Sequence, residues 1–373
     1  MEGENAEKGL RCLKIWKRLS QGRSTWLGQK PEQGLSAEEE EAGYLYVPTG
    51  GTSGNPRFAR HTRQTMRAGA LGLAQALGGG PLSSWCCLPG HHVGGWMQVV
   101  RAVETGGTVT FGEYRDLANP AKAPAVEGRL LSLVPTQLTR LLDSELAVKR
   151  LSTCRMLFLG GGPMSPALRK LAREARLPVA PAYGMTETAG MVTLLKPEDF
   201  LAGEEGVGEA LPHAELITEE ETGRVLLRAK SLFRGYLGEK LSNAHVSGDW
   251  WATSDLGTVS SQGRWHILGR LDRVANTGGE KVNLEEIEAE ARETGLALDC
   301  LALGLPDEEW GERLTLFCVA PGFSVEELKR ALSKRLSGPR FPKEVIVVDA
   351  LPLSEMGKPE LGAALRLASG SQA

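Results

Sequence analysis

Three glycines and three hydroxyls fill the six residues Thr49, Gly50, Gly51, Thr52, Ser53 and Gly54, directly after an apolar run at 44–47. The apolar run reads as a buried strand. Glycine lets a backbone turn tightly and approach a ligand closely. Exposed amide N–H groups and hydroxyls in such a turn form a concave anion site. Pro56, Arg57, Arg60 and His61 follow, and their basic groups would add positive charge. The stretch therefore predicts a strand that opens into a phosphate-gripping loop. It is not the GxxxxGK[ST] loop, because no Lys-Ser or Lys-Thr pair closes it. Taken alone, it also fits an ordinary Gly/Ser-rich surface turn.

The chain has 373 residues, enough for a large core and more than one domain. Hydrophobic residues at 41% and charged residues at 24% suit a globular protein. A formal net charge of -3 gives no basic field, so nucleic acid is not an expected partner. No run is long enough for an integral membrane segment, and the charged first residues do not read as a signal peptide. Six cysteines, at 12, 86, 87, 154, 300 and 318, show no metal spacing and read as buried free thiols in a reducing, cytoplasmic setting.

Residues 1–43 read as short helices or an irregular lead-in, with the acidic run 38–41 on a solvated face. A helix is predicted within 61–77, directly after the loop. Apolar strands at 85–89, 108–111, 130–134, 155–159 and 178–183 alternate with helices at 96–105, 135–142 and 165–176. Strands alternating with helices predict parallel β-α-β units. Ligands gather at the carboxyl ends of such strands. The Gly-rich, His91-His92 and Gly184-Met185-Thr186-Glu187 stretches all fall just after strands, which points to one shared cleft. Short strands with charged turns over 206–267 predict an antiparallel subdomain. Strands at 300–305, 314–320 and 344–349 with helices at 284–292 and 325–336 predict a compact α+β unit. The expected class is α/β: a large parallel-rich domain with an antiparallel subdomain, residues 1–270, then a small mobile α+β domain, residues 271–373.

Six stretches in order resemble the adenylate-forming superfamily of acyl-CoA synthetases, luciferases and peptide-synthetase adenylation domains. Thr49 to Arg57 resembles its TSGTTGxPK phosphate loop, with Arg57 where the family usually has lysine. Tyr183-Gly184-Met185-Thr186-Glu187 resembles YGxTE, Ser254-Asp255-Leu256-Gly257 the TGD-type motif, and Gly269-Arg270-Leu271-Asp272 the GRxD hinge. Gly278-Gly279-Glu280-Lys281 begins a segment similar to the one that follows the hinge, and Pro352 to Lys358 resembles PxTxxGK. Within the superfamily, Ser132-Leu133-Val134-Pro135-Thr136-Gln137-Leu138 and the spacing of His92 and Arg101 resemble the o-succinylbenzoate–CoA ligases of menaquinone and phylloquinone biosynthesis. About 48 residues precede the loop, far fewer than the family usually carries, so an altered acyl pocket and altered oligomer contacts are expected.

The resemblance implies ATP, Mg²⁺ and CoA, a small-molecule carboxylate, and room for a homo-oligomer. Thr49, Gly50, Gly51, Thr52, Ser53, Gly54 and Arg57 would hold the β- and γ-phosphates. Thr186 would contact the α-phosphate and Glu187 would hold Mg²⁺, although the pair also reads as a helix start with an acidic first turn. Gly161, Gly162, Tyr183 and Gly184 would border the nucleotide, and Asp255 and Arg270 its ribose. Lys358 would neutralise the adenylation transition state. His92, with His91 as the competing choice, would guide the carboxylate. Arg101 falls in an apolar helix, where a buried arginine needs an anion; a second substrate carboxylate would serve, while a snorkelling arginine is the alternative. Thr136 and Gln137 are further pocket candidates. Asp272 would sit at a hinge, and Gly278, Gly279 and Lys281 would line the thiol channel after domain rotation. The rival readings are a synthetase for another small acid, a carrier-loading adenylation domain, and a nonenzymatic nucleotide-binding relative.

Overall fold

The structure is a computed structural model that describes residues 2–28, 35, 42–49, 57–239, 246–247, 250–353 and 360–370. Its centre is a five-stranded sheet in the order Val109–Phe111, Ser84–Cys86, Leu130–Leu133, Met156–Leu159, Val179–Pro181. Every pairing in it is parallel. Successive strand side chains point to opposite faces, and here both faces are covered. Leu131, Leu133, Leu157 and Leu159 pack with Leu138 and Leu141 of helix Pro135–Leu142 and Leu168 of helix Pro166–Glu174. Leu130, Met156, Phe158 and Ala180 pack on the other side with Leu73 and Ala74 of helix Arg63–Ala76. Burial on two faces is why these strands read as continuous apolar runs rather than alternating ones.

The sequence expectation and the structure part at the loop. A strand, Arg57–His61, stands between the loop and helix Arg63–Ala76, and it pairs antiparallel with Leu45–Thr49. The glycine-rich stretch therefore connects a hairpin instead of leading straight into a helix. Thr62 caps that helix by accepting from Thr65 N, which stops the helix short of His61. His61 is buried rather than charged at a surface, so it does not add to the basic field. In the lead-in, expected as short helices or irregular, the helical alternative holds at its start. Residues Glu2–Ser20 form one helix, whose Cys12, Trp16 and Leu19 join a core with Trp96 and Met97 of helix Val93–Thr105.

Beyond the parallel sheet, Ala214–Thr218, Arg224–Ala229, Trp250–Val259 and Trp265–Arg270 form an antiparallel sheet. Within the region expected to hold only short strands, Trp250–Val259 is one ten-residue strand, because its register against Trp265–Arg270 shifts between Leu256 and Gly257 without breaking the ladder. The last sheet runs Glu280–Asn283, Val274–Thr277, Gly311–Val319, Asp299–Asp307, with Glu344–Val347 parallel to Gly311–Val319. It carries helices Leu284–Glu293, Val325–Leu332 and Leu361–Gly370. The tight hairpin Val274–Thr277 to Glu280–Asn283 was not anticipated as strands. Gly278 and Gly279 form its two-residue turn at φ 61° and 83°, backbone that only glycine adopts freely. No helix among the described residues is long and apolar enough to cross a membrane.

Candidate active site

Strand ends place the candidate residues. Gly160 follows Met156–Leu159, its N–H donating to Leu133 O at 3.4 Å, and Gly161 lies against Val134. Next to them, Tyr183 and Gly184 follow Val179–Pro181. Residues Gly184–Met185 and Gly190–Met191 make a small antiparallel hairpin, and Thr186–Thr188 turn between them. A β-carbon on Gly184 would run into Gly190 O, so the hairpin needs glycine there. The turn is a single 3-10 turn and not the start of a longer helix, which leaves Thr186 and Glu187 on a short, sharply held segment.

That segment is tied on both sides. On one side, His61 Nε2 lies 2.8 Å from Thr186 O, and His61 Nδ1 lies 3.0 Å from Thr65 Oγ1. The carbonyl accepts, so the ring carries its proton on Nε2. Burial pulls the His61 pKa down to about 4, so the ring is a neutral strut. It joins the loop hairpin to the Thr186 turn. Thr49 and Arg57 are register partners at the hairpin's end, and Thr49 Oγ1 donates to Arg57 O at 3.3 Å. Gly50, Gly51, Thr52, Ser53 and Gly54 lie outside the described residues, as does Lys358.

On the other side, Tyr183 OH donates to Asp255 Oδ2 at 2.6 Å. Asp255 is 6% exposed and stands opposite Arg270 in the sheet register. Arg270 Nη1 reaches Asp255 Oδ1 at 3.2 Å, and its Nε reaches Asp272 Oδ1 at 2.7 Å. Burial pushes the Asp255 carboxyl up, against the pull of Tyr183 and Arg270. Burial also opposes ionisation of Asp272, yet the Arg270 hydrogen bonds hold its carboxyl below the usual range. Both oxygens of Asp255 already have a partner, and each carboxylate oxygen has a second lone pair to offer a hydroxyl.

Glu187 takes a hydrogen bond from Tyr236 OH on Oε1 at 2.7 Å, and Phe233 N donates to Glu187 O at 2.8 Å. No group of three or more His, Cys, Asp or Glu that could cage a metal exists among the described residues. One carboxylate whose Oε2 has no hydrogen-bond partner among the described residues fits a Mg²⁺ that keeps waters and phosphate oxygens as its other ligands. Arg57 stands away from a purely loop-directed role: its guanidinium lies 3.5 Å over the Tyr236 ring and pairs with Glu239 at 3.0 Å.

The acyl candidates lie on two helices. His92 is the N-terminal cap residue of Val93–Thr105 and makes no side-chain cap bond; His91 packs against Gly28, and the two rings are 4.3 Å apart. Arg101 is 3% exposed, so it does not snorkel to solvent. Its guanidinium lies 5.6 Å from the centre of the Phe158 ring and beside Gly190. No carboxylate pairs with it among the described residues, and its Nε has no partner. Burial lowers its pKa to about 10. Thr136 stands in the first turn of Pro135–Leu142. Gln137 is buried, and its Oε1 accepts from Val134 N at 3.1 Å, capping its own helix. Lys281 is exposed, Gly278 packs on Trp310, and no hydrogen bond or ion pair joins that hairpin to the cleft among the described residues. Tyr236, Glu239 and the strut role of His61 were not singled out from the sequence. Strand 57–61 buries the His61 side chain together with Phe58 and Ala59, a pattern too weak in RFARH to mark His61 from the sequence.

A parallel sheet followed by glycine turns and a hydroxyl–carboxylate segment, tied through Tyr183 to an acid–arginine pair, is an arrangement suited to a nucleotide-activating α/β enzyme. The AMP-binding enzyme model matches residues 7–237, and the model for the C-terminal domain of AMP-binding enzymes matches residues 286–358. The chain belongs to the AMP-binding enzyme family. It is 30% identical over 315 residues to the 2-succinylbenzoate–CoA ligase of Listeria monocytogenes, with 83% of this chain and 67% of that relative covered. Among solved structures it resembles the o-succinylbenzoate CoA synthetase of Bacillus subtilis in complex with the acyl-adenylate intermediate, at 25% identity and a TM-score of 0.71, covering 86% of this chain and 68% of that one. An ATP-bound RpMatB–BxBclM chimera matches with a TM-score of 0.73 at 26% identity, covering 87% and 68%.

Proposed function

We propose that the chain is an AMP-forming acid–CoA ligase that converts 2-succinylbenzoate, ATP and CoA to 2-succinylbenzoyl-CoA, AMP and diphosphate through an acyl-adenylate. The observation that carries the reading is the segment Tyr183–Glu187. One end touches the loop hairpin through His61, and the other touches the Asp255–Arg270 pair through Tyr183. A phosphate grip and a ribose grip thus meet on one rigid piece of backbone. The relative from Listeria monocytogenes supports the choice of acid. The chimera shares the fold as closely, so the fold does not select the acid, and a synthetase for another small acid is the runner-up.

In the first half-reaction, the substrate carboxylate oxygen attacks the α-phosphorus, and the bond to the β-phosphate oxygen breaks. Negative charge gathers there, so catalysis is mainly positioning and electrostatic neutralisation. Thr49 and the 50–54 loop would hold the outer phosphates, and Thr186 the α-phosphate. Glu187 would hold the Mg²⁺, which supplies charge neutralisation across the phosphates when bound. Asp255, kept in place by Tyr183 and Arg270, would accept from the ribose hydroxyls. The turn at Gly161 and Gly162 would pass adenine, and Lys358 would neutralise the transition state. In the second half-reaction, the CoA thiol gives up its proton, its sulfur bonds to the acyl carbon, and AMP leaves.

Arg101 would grip the carboxylate that does not react. It is a buried cation with no carboxylate partner among the described residues, and a buried arginine is stabilised by an anion. His92, at the head of the same helix, would guide the reacting carboxylate. Domain division at Arg270 to Arg273, rotation about Asp272, and a thiol channel lined by Gly278, Gly279 and Lys281 complete the proposal. All six cysteines are free thiols, which supports a reducing, cytoplasmic setting. The test is ATP–diphosphate exchange with 2-succinylbenzoate against a panel of small acids. Exchange strongest with 2-succinylbenzoate is expected, and no exchange with any acid would sink the enzyme reading.

A further inference from the structure

Arg57 and Tyr236 form a stack behind Glu187. Segment 234–237 is fastened to strand Arg57–His61 by Arg234 N to Arg60 O at 2.7 Å, Arg60 N to Gly235 O at 2.9 Å and Leu237 N to Phe58 O at 2.8 Å. That pairing holds the Tyr236 ring beneath the Arg57 guanidinium at 3.5 Å. At its far end, Tyr236 OH donates to Glu187 Oε1 at 2.7 Å. Glu239 pairs with Arg57, and Glu239 O accepts from Arg60 Nη2 at 2.8 Å, so the acidic residue is itself held. The Arg57–Glu239 pair is about half exposed on each side and is weak as an ion pair. Its use is to keep a planar cation flat on the ring. A guanidinium stacks on an aromatic face, whereas an ammonium is a compact point charge on a flexible stem.

We infer that Tyr236 is a positioning residue for Glu187, and that Arg57 acts through Tyr236 and not directly on the phosphates. This rests on the proposed role of Glu187 toward Mg²⁺. A carboxylate free to rotate must be ordered when the ion binds; one whose Oε1 is already held presents Oε2 in place. Losing a hydrogen bond to a charged group is a sizeable effect, and here it falls on the metal requirement. The same arrangement accounts for an arginine at a position where the loop motif usually carries lysine.

The test is metal-dependent ATP binding to the full chain by calorimetry, with Mn²⁺ bound in the presence of ATP read by electron paramagnetic resonance. Tyr236→Phe should raise the metal concentration for half-saturation about tenfold. The thermal midpoint should fall by only a few degrees, and thioester formation from supplied acyl-adenylate should change less than the metal requirement does. Arg57→Ala should raise the requirement about threefold, and the double variant should match Tyr236→Phe alone, since coupled residues are not additive. Arg57→Lys should behave like Arg57→Ala. Additive losses, rescue by lysine, or an unchanged metal requirement in Tyr236→Phe would each overturn the inference. Wild-type protein that binds no ATP with either metal would instead defeat the functional reading beneath it.

Discussion

Arg101→Met should make the empty protein more stable and the enzyme worse. The charge is 3% exposed, faces no carboxylate among the described residues, and has an unpartnered Nε. Burial brings its pKa down to about 10. Each tenfold change in proton affinity corresponds to about 1.4 kcal/mol, so holding this cation costs the fold on the order of 3 kcal/mol. The cost applies in full at neutral pH, where folded and unfolded arginine are both charged. It shrinks as pH rises above 10, because the folded state then sheds its proton first and the unfolded state binds more protons. Methionine keeps most of the apolar stem against Phe158 but loses the cation over its ring, worth about 1 kcal/mol. The net expectation is a gain of about 1–2 kcal/mol, read as a higher urea midpoint with an unchanged slope. Function should move the other way. Loss of a desolvated charge-assisted pair is worth about 3 kcal/mol, or roughly a hundredfold in KM for 2-succinylbenzoate. Benzoate analogues without the second carboxylate should be nearly unaffected. Diphosphate exchange measures both. A variant that is less stable than wild type, or that loses both acids equally, would show that Arg101 is a structural residue and refute the argument.

Lys358→Ala should depress adenylation by orders of magnitude while sparing thioester formation from supplied acyl-adenylate; equal losses in the two half-reactions would remove it from the first step. His61 is neutral when folded, with its pKa lowered by burial to about 4. Its contribution is complete above the ordinary histidine range and is lost as pH falls from about 6.5 toward 4, by about 3 kcal/mol. His61→Gln should flatten that part of the stability-versus-pH curve, as followed by urea melts at each pH. Glu288 is a buried carboxylate that accepts from Arg273 at 2.8 Å, from Arg292 at 3.4 Å and from Ala302 N at 2.9 Å. Glu288→Ala leaves two arginines facing an apolar gap and should destabilise the protein by about 3–5 kcal/mol in denaturant melts. A loss under 1 kcal/mol would mean that the pair is solvated.

The periodicity of the chain was sufficient for the parallel sheet, because strands covered on both faces leave continuous apolar runs such as 130–133 and 156–159. Glycines and prolines punctuate those runs, and the six motifs in order along the chain carried the family resemblance. Strand 57–61 was not legible. Its sequence, RFARH, alternates weakly and sits between a glycine loop and a helix, so the local signal favoured one continuous helix entry. Only pairing with Leu45–Thr49 across the loop and with segment 234–237, which is distant in sequence, selects the strand.

For the site, the chain alone supplied the residue types proposed to carry the chemistry: a glycine–hydroxyl loop, a threonine–glutamate step, an aspartate, an arginine and a lysine, in a fixed order. It left Arg57 with the phosphates, His61 with the positive charge, and Arg101 undecided between solvent and core. Tertiary structure placed Arg57 on Tyr236, His61 under Thr186 and Arg101 in the interior. The physical reason is that a side chain's charge and shape are local properties written in the sequence. Its solvation and its partner are not, because they depend on what distant segments pack against it.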